Sequence, residues 1–212
     1  KNYVIDERLK TINTRGFTEP LSSRAALQCV AIAGECIVNQ NRHGVVEVKH
    51  VETLSESTGI LYFAGPDMYA GATIPEVDEN FEFKTIDFDN VYQEPQIKLD
   101  ELIKDITVKV FDGTEEGREV KIVNGNHGKS VKLENPLINT IQHAQKVAEW
   151  IIRESNLRAL YEVNWRQNPA LELGDVVLIE DGYDEKRRSR IIKQEFNFDG
   201  ALSGKTETKG GV

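Results

Sequence analysis

The residues of this chain that could do chemistry are two cysteines, four histidines and a scatter of neighbouring carboxylates. Cys29 and Cys36 lie seven positions apart on a stretch that reads as helix. That spacing puts both thiols on one face, about 10 Å apart along the axis, too far to bridge while the helix is intact. Both are expected as small core residues. His43, His50, His127 and His143 show no i, i+4 pair and no clustering with cysteine, so they read as surface or structural histidines and not as zinc ligands. Asp87/Asp89, Asp100/Glu101, Glu115/Glu116, Glu180/Asp181 and Asp184/Glu185 are candidate acid–base pairs. Glycoside hydrolysis, however, needs two carboxylates about 5–10 Å apart in a cleft, one with a raised pKa. Nothing in these pairs distinguishes them from solubilising surface charge. Asn124-Gly-Asn-His-Gly128 lacks the Lys-Ser/Thr and the helix that complete a phosphate loop, and reads as a hairpin turn. The aromatics Trp150, Tyr161, Trp165, Phe196 and Phe198 fall at core-facing periods, whereas a base- or sugar-stacking platform needs exposed rings on one face. No catalytic, cofactor-binding or metal-binding residue is assigned, no cofactor is expected, and the chain does not read as an enzyme.

Composition narrows the partners. The 212 residues are 39% hydrophobic and 29% charged, with a formal net charge of −9. That balance argues against a sequence-independent grip on nucleic acid, which needs clustered Lys and Arg. The one basic run, Lys186–Arg190, lies beside Glu180, Asp181, Asp184 and Glu185 and reads as a charged hairpin. The longest uncharged segments, Ala25–Gly34 and Ser57–Pro75 around Asp67, are too short or too interrupted to insert in a membrane. The abrupt start at Lys1-Asn-Tyr-Val-Ile5 reads like the interior of a longer polypeptide.

The elements that would position these residues follow from periodicity. Tyr3–Ile12 starts as a strand and turns at Arg15-Gly16. Ser22 or Ser23 caps a helix to about Glu35, with Leu27, Val30, Ala31 and Gly34 as its buried stripe. Ile37-Val38 and Val45–Val48 form a hairpin around Asn39–Gly44. Leu54–Glu82, punctuated by Gly and Pro, reads as an extended connection. Phe83–Tyr92 alternates with period 2, and Pro95 restricts the next segment to an edge or a turn. Ile103–Phe111, Glu119–Val123 and Lys129–Leu133 read as a three-stranded meander. Asn135-Pro136, or Asn139, opens a strong helix whose inner face carries Ile141, Ala144, Ala148, Ile151 and Ile152. Strands at Ala159–Trp165, Asp175–Ile179, Arg190–Phe198 and Ala201–Thr208 follow.

The expected class is α+β. Antiparallel meanders form a small barrel-like or split-sheet domain with packed helices, beside an N-terminal helix–hairpin module. The domains are placed at 1–104 (helix–hairpin module with a loop-rich connection) and 105–212 (barrel-like β domain with one long helix). The fold-specifying residues are expected to be Leu27, Val30, Ile106, Val108, Ala148, Ile151, Tyr161, Trp165, Leu173, Val177, Ile192 and Phe196. Leu173→Asp should then unfold the C-terminal half by burying an unpaired charge.

Several segments, in order, resemble one family. Ser23-Arg-Ala-Ala-Leu-Gln-Cys-Val-Ala-Ile-Ala-Gly34, followed by a hairpin closing at Asn41-Arg-His-Gly44, resembles a helix and hairpin of bacteriophage tail hub and tail-tip proteins. Phe88–Leu99 running into Ile106–Phe111, Asn135-Pro-Leu-Ile138 with its helix, Asn168-Pro-Ala-Leu-Glu-Leu-Gly-Asp175 and Gln194–Gly204 are similar to later segments of that family. The resemblance is weakest over Leu54–Phe81 and Gly113–Gly128. It implies a structural subunit of a phage or prophage tail tip or baseplate hub, typically a trimer whose barrels make a pseudo-six-fold ring joining tail tube to tip. It also implies a further barrel ahead of Tyr3, partners among other tail and baseplate proteins, assembly in the bacterial host cytoplasm and a final place in the virion tail. It carries over no catalytic residue. The alternative, from a different class, is a carbohydrate- or cell-surface-binding module of the tail tip.

Overall fold

A computed structural model describes residues 3–41, 43–51, 54, 85–113, 117–180 and 186–211. These residues fall into two compact units, each built from separated stretches of chain. One holds Lys1–Val51, Ile97–Leu160 and Gly211–Val212; the other holds Glu52–Gln96 and Tyr161–Gly210. The sequence reading places a single boundary at 104/105, whereas these units interleave. The class is α+β, with two α-helices and three sheets among the described residues. No sheet closes into a barrel among the described residues, where the sheets of the expected barrel-like or split-sheet domain are open.

In the first unit, β1 (Tyr3–Ile5) lies parallel to β3 (Val46–His50), which pairs antiparallel with β2 (Cys36–Gln40). The short strand expected at the start of Tyr3–Ile12 is β1, and it ends where Asp6 caps a 3-10 turn over Glu7–Thr11 by accepting the Arg8 amide. Helix α1 (Ser23–Ala33) is capped by Ser22, whose hydroxyl accepts the Ala25 amide. It ends where Gly34 caps it and Glu35 takes a left-handed φ of +53°. Its buried stripe is the expected one only in part: Val30 packs on the core and Gly34 is buried, but Ala33, Cys29 and Ile32 join them and Leu27 is 42% exposed. Nearly every residue from Ala25 to Ala33 is apolar, so periodicity alone leaves the phase of this helix open. Between β2 and β3 the Asn41 side chain accepts the amides of His43 and Val45, which builds the turn.

The sheet of β6 (Ile103–Val110), β7 (Arg118–Val123) and β8 (Lys129–Glu134) corrects the meander. Its order is β7-β6-β8, and β8 runs parallel to β6. Asn124–Gly128 is therefore a crossover beneath the start of β6 and not a hairpin turn. The Asn124 amide donates to the Lys104 carbonyl and the Lys129 amide to the Leu102 carbonyl. Gly128, at φ +112°, passes so close to the Leu102 carbonyl that a Cβ would collide with it. Helix α2 (Ile141–Asn156) starts later than expected, at a Thr140 cap. Asn135, buried before it, accepts the Leu137 amide and donates to the Cys29 carbonyl, 2.8 Å away, and so pins this segment to α1. Ala144, Val147, Ala148 and Ile152 of α2 pack on Ile106, Val108 and Val110 of β6, with Ile151 at the margin; the expected face residue Ile141 is 42% exposed.

In the second unit, the strand expected over Phe83–Tyr92 ends at β4 (Thr85–Ile86), because Phe88–Asn90 closes into a 3-10 turn; Phe83 and Lys84 lie outside the described residues. The strands of this unit run in the order β4-β10-β11-β12-β9, with β9 (Ala159–Trp165), β10 (Val176–Glu180), β11 (Lys186–Phe198) and β12 (Leu202–Gly210); β5 (Gln96–Leu99), which follows Pro95, falls mostly in the first unit. Tyr161, Val163, Trp165, Leu171, Val177, Ile179 and Ile191 are buried. Three expected core residues are not. Leu173 is 37% exposed, because Leu171 is the residue of that turn that points inward. Ile192 is exposed at the register shift between Ile191 and Lys193, where one extra residue bulges from the ladder. Phe196 is 50% exposed, since the β11–β12 hairpin runs on past the covered part of the sheet. The expected connection over Leu54–Glu82 lies almost wholly outside the described residues.

Candidate functional site

The residues singled out for chemistry do not converge. Cys36 is on β2, beyond the end of α1, and not on one helix with Cys29. Its thiol donates to the Gly34 carbonyl at 2.9 Å, and burial, reinforced by the charges of Asp6 and Glu35, pushes its pKa up to about 12. A thiol held neutral is no nucleophile. His50 lies 3.9 Å from the Glu35 carboxylate, while His143 on α2 places Nε2 2.7 Å from the Ala33 carbonyl and so ties α2 to α1. His43 sits in the β2–β3 turn and His127 in the crossover. No group of three or more His, Cys, Asp or Glu side chains among the described residues could hold a metal ion.

The acidic pairs are dispersed likewise. Asp87 precedes the 3-10 turn, Asp100 accepts the Glu101 amide, and Glu180 accepts the Phe88 amide at 3.2 Å. Glu115, Glu116, Asp181, Asp184 and Glu185 lie outside the described residues. The basic run opens β11, with Lys186 opposite Glu180 and with Ser189 and Arg190 buried; Ser189 bonds Thr208 at 2.6 Å. Trp165 is core, as expected, and its indole donates to the buried Thr206 hydroxyl, which also receives the Gln167 amide. Phe196 and Phe198, at 50% and 77% exposure, are not core. No helix among the described residues is long and apolar enough to cross a membrane.

The arrangement that does gather polar side chains is one the sequence reading did not single out. Strand pairing opposes Lys193 to Glu207, Glu195 to Lys205 and Asn197 to Ser203 on the face of β11 and β12 opposite the buried Thr206 and Thr208. On β9, whose odd-numbered residues are buried, Glu162 and Asn164 share that outward face. Val91 bridges to Trp165 and the Tyr92 amide donates to the Asn164 carbonyl, which brings Tyr92 alongside. Together Tyr92, Asn164, Glu195, Asn197, Ser203 and Lys205 line an open hollow of about 410 Å³. Lys193 Nζ lies 2.7 Å from Glu195 and 3.2 Å from Glu207, and Lys205 Nζ lies 2.7 Å from Glu162 and 3.7 Å from Glu207. The hydrogen bond from Lys193 holds the Glu195 carboxyl below its ordinary value, and the partners of both lysines push their pKa values up. The signal for this face was the i, i+2 polar alternation Glu162/Asn164 and Ser203/Lys205/Glu207, read only as strand character.

The chain matches no sequence-family profile and no curated protein sequence. Among solved structures it is similar to the 43 kDa tail protein of prophage MuSo2 from Shewanella oneidensis, at 12% identity and a TM-score of 0.56 over 98% of this chain and 60% of that one. A tail protein from Neisseria meningitidis MC58 is similar at 12% identity and a TM-score of 0.56, over 99% and 61% of the respective chains. This chain has the fold of phage tail proteins. A chain from the virion of the native gene transfer agent particle shares that fold, at 17% identity and a TM-score of 0.57 over 89% of this chain and 39% of that one. The chain thus spans less than two thirds of the length of each of these tail and virion chains.

Proposed function

We propose that this chain is a structural subunit of a phage or prophage tail, placed at the tail tip or baseplate hub, where it self-associates and joins the tail tube to tip proteins. The observation that carries the reading is the fold shared with prophage tail proteins across 98–99% of the chain. The cysteines and histidines do not converge among the described residues, and the one charged cluster there consists of lysines paired with glutamates, which supports a scaffold over a catalyst, because catalysis requires a nucleophile, base or metal brought to one point. Self-association draws support from β5. Among the described residues, Ile97 and Leu99 of β5 are 54% and 60% exposed, and an apolar strand left uncovered is a template for pairing with another chain. Closed symmetry is the common way to cover such strands. The subunit then assembles in the host cytoplasm and ends in the virion tail.

Light scattering across a concentration series, with negative-stain images of any large species, tests the self-association. A trimer or ring is expected; a monomer at every concentration would remove that part of the proposal.

A further inference from the structure

We propose that the open hollow lined by β9, β11, β12 and Tyr92 is a binding site for a neutral saccharide of one or two pyranose rings. The inference stands on the second unit alone and does not depend on the tail reading.

Its volume of about 410 Å³ falls within the roughly 300–1,000 Å³ typical of small-ligand sites. The Tyr92 side chain is 57% exposed, an aromatic body with a hydroxyl at its tip. The C–H face of a pyranose can lie against such a ring while its hydroxyls reach past the edge. Around it stand the carboxamides of Asn164 and Asn197 and the hydroxyl of Ser203. Each of these both donates and accepts, as the vicinal hydroxyls of a sugar do.

Charge separates this ligand class from others. Two ammonium groups, Lys193 and Lys205, stand among three carboxylates, Glu162, Glu195 and Glu207, and each ammonium contacts two of them. Of these five, Glu195 and Lys205 line the hollow and the other three flank it; across the group the carboxylates outnumber the ammoniums, so a phosphate or an acidic sugar meets tethered cations and an excess of like charge nearby. A cationic ligand would find carboxylates already occupied by lysine. What remains on offer is neutral hydrogen bonding beside the Tyr92 ring. Because the hollow is open, one face of the ligand stays in water and affinity is modest.

Saturation-transfer NMR on the whole chain tests this with the methyl glycosides of glucose, galactose, rhamnose and N-acetylglucosamine, and with N-acetylneuraminic acid as the acidic counter-probe. At least one neutral glycoside is expected to bind and the acidic sugar not to. Tyr92→Ala should weaken the bound glycoside about tenfold or more, the usual effect of removing an anchoring aromatic. Asn197→Ala, at an exposed position, should weaken it severalfold and decides the matter if Tyr92→Ala misfolds. The proposal is overturned if no neutral glycoside binds, if binding is unchanged in both variants, or if the acidic sugar binds in preference.

Discussion

Leu171 and Leu173 stand two residues apart in one turn, and truncating each to alanine should give clearly different losses. Leu171 is 4% exposed and Leu173 37% exposed. Leu→Ala removes about three carbons, worth roughly 2.4 kcal/mol at about 0.8 kcal/mol per buried methylene. At Leu171 a cavity term of about 1 kcal/mol is added, because closely packed neighbours collapse only in part, giving about 3–4 kcal/mol. At Leu173 water already reaches the side chain, no sealed cavity forms, and roughly two thirds of the transfer value is lost, about 1.5 kcal/mol. The difference of about 2 kcal/mol corresponds to roughly 4–8 °C in Tm for a chain of this size. Thermal unfolding followed by circular dichroism, with urea titration as the second probe, measures it. The charged variants sharpen the contrast: Leu171→Asp should prevent folding of the second unit, while Leu173→Asp can turn its carboxylate to solvent and should fold. If Leu173→Ala costs as much as Leu171→Ala, the inward direction of this turn is wrong.

Gly128→Ala should destabilise the first unit by more than about 3 kcal/mol, since it adds a collision with the Leu102 carbonyl to left-handed strain worth about 1–2 kcal/mol. Gly125→Ala, with open space around it, should show the strain alone; equal losses in urea melts would contradict the crossover beneath β6. Iodoacetamide at about pH 8 should leave Cys36 unmodified in the folded chain, because burial holds its thiol up to about 12; mass spectrometry showing Cys36 labelled at the rate of the unfolded chain would refute this. In acid, Asp6 titrates near 2 in the folded chain, held there first by the Arg8 hydrogen bond, and Asp105 is lowered by the Ser130 hydroxyl. Their contribution to stability is complete above the ordinary carboxylate range and is lost as pH falls through the folded values, so stability should drop below about pH 4. Asp105→Asn should flatten that drop, and an unchanged acid profile would remove Asp105 from the account.

Where one short stretch carries its own periodicity, the fold was legible. Ile106, Val108 and Val110 alternate inward on β6, the inner face of α2 follows a 3.6-residue period, and Asn41 builds its turn locally. What failed was long-range or phase-dependent. Asn124–Gly128 has the composition of a hairpin turn, and nothing local says that β8 will pair with β6 and not with β7. The phase of α1 is hidden by an almost uniformly apolar run. The bulge at Ile192 and the overrun of the β11–β12 hairpin flip or expose residues whose pattern reads as core. The same overrun helps make the hollow beside Tyr92, whose parts come from 92, 164 and 195–205, separations that no motif search joins.

Gold-labelled antibodies raised against this chain, imaged on particles released by the organism that carries its gene, test the structural role most directly. The account predicts label at one end of the tail, at the tip or baseplate, in every intact particle. Intact tails that carry no label, or label confined to material outside the particles, would contradict it.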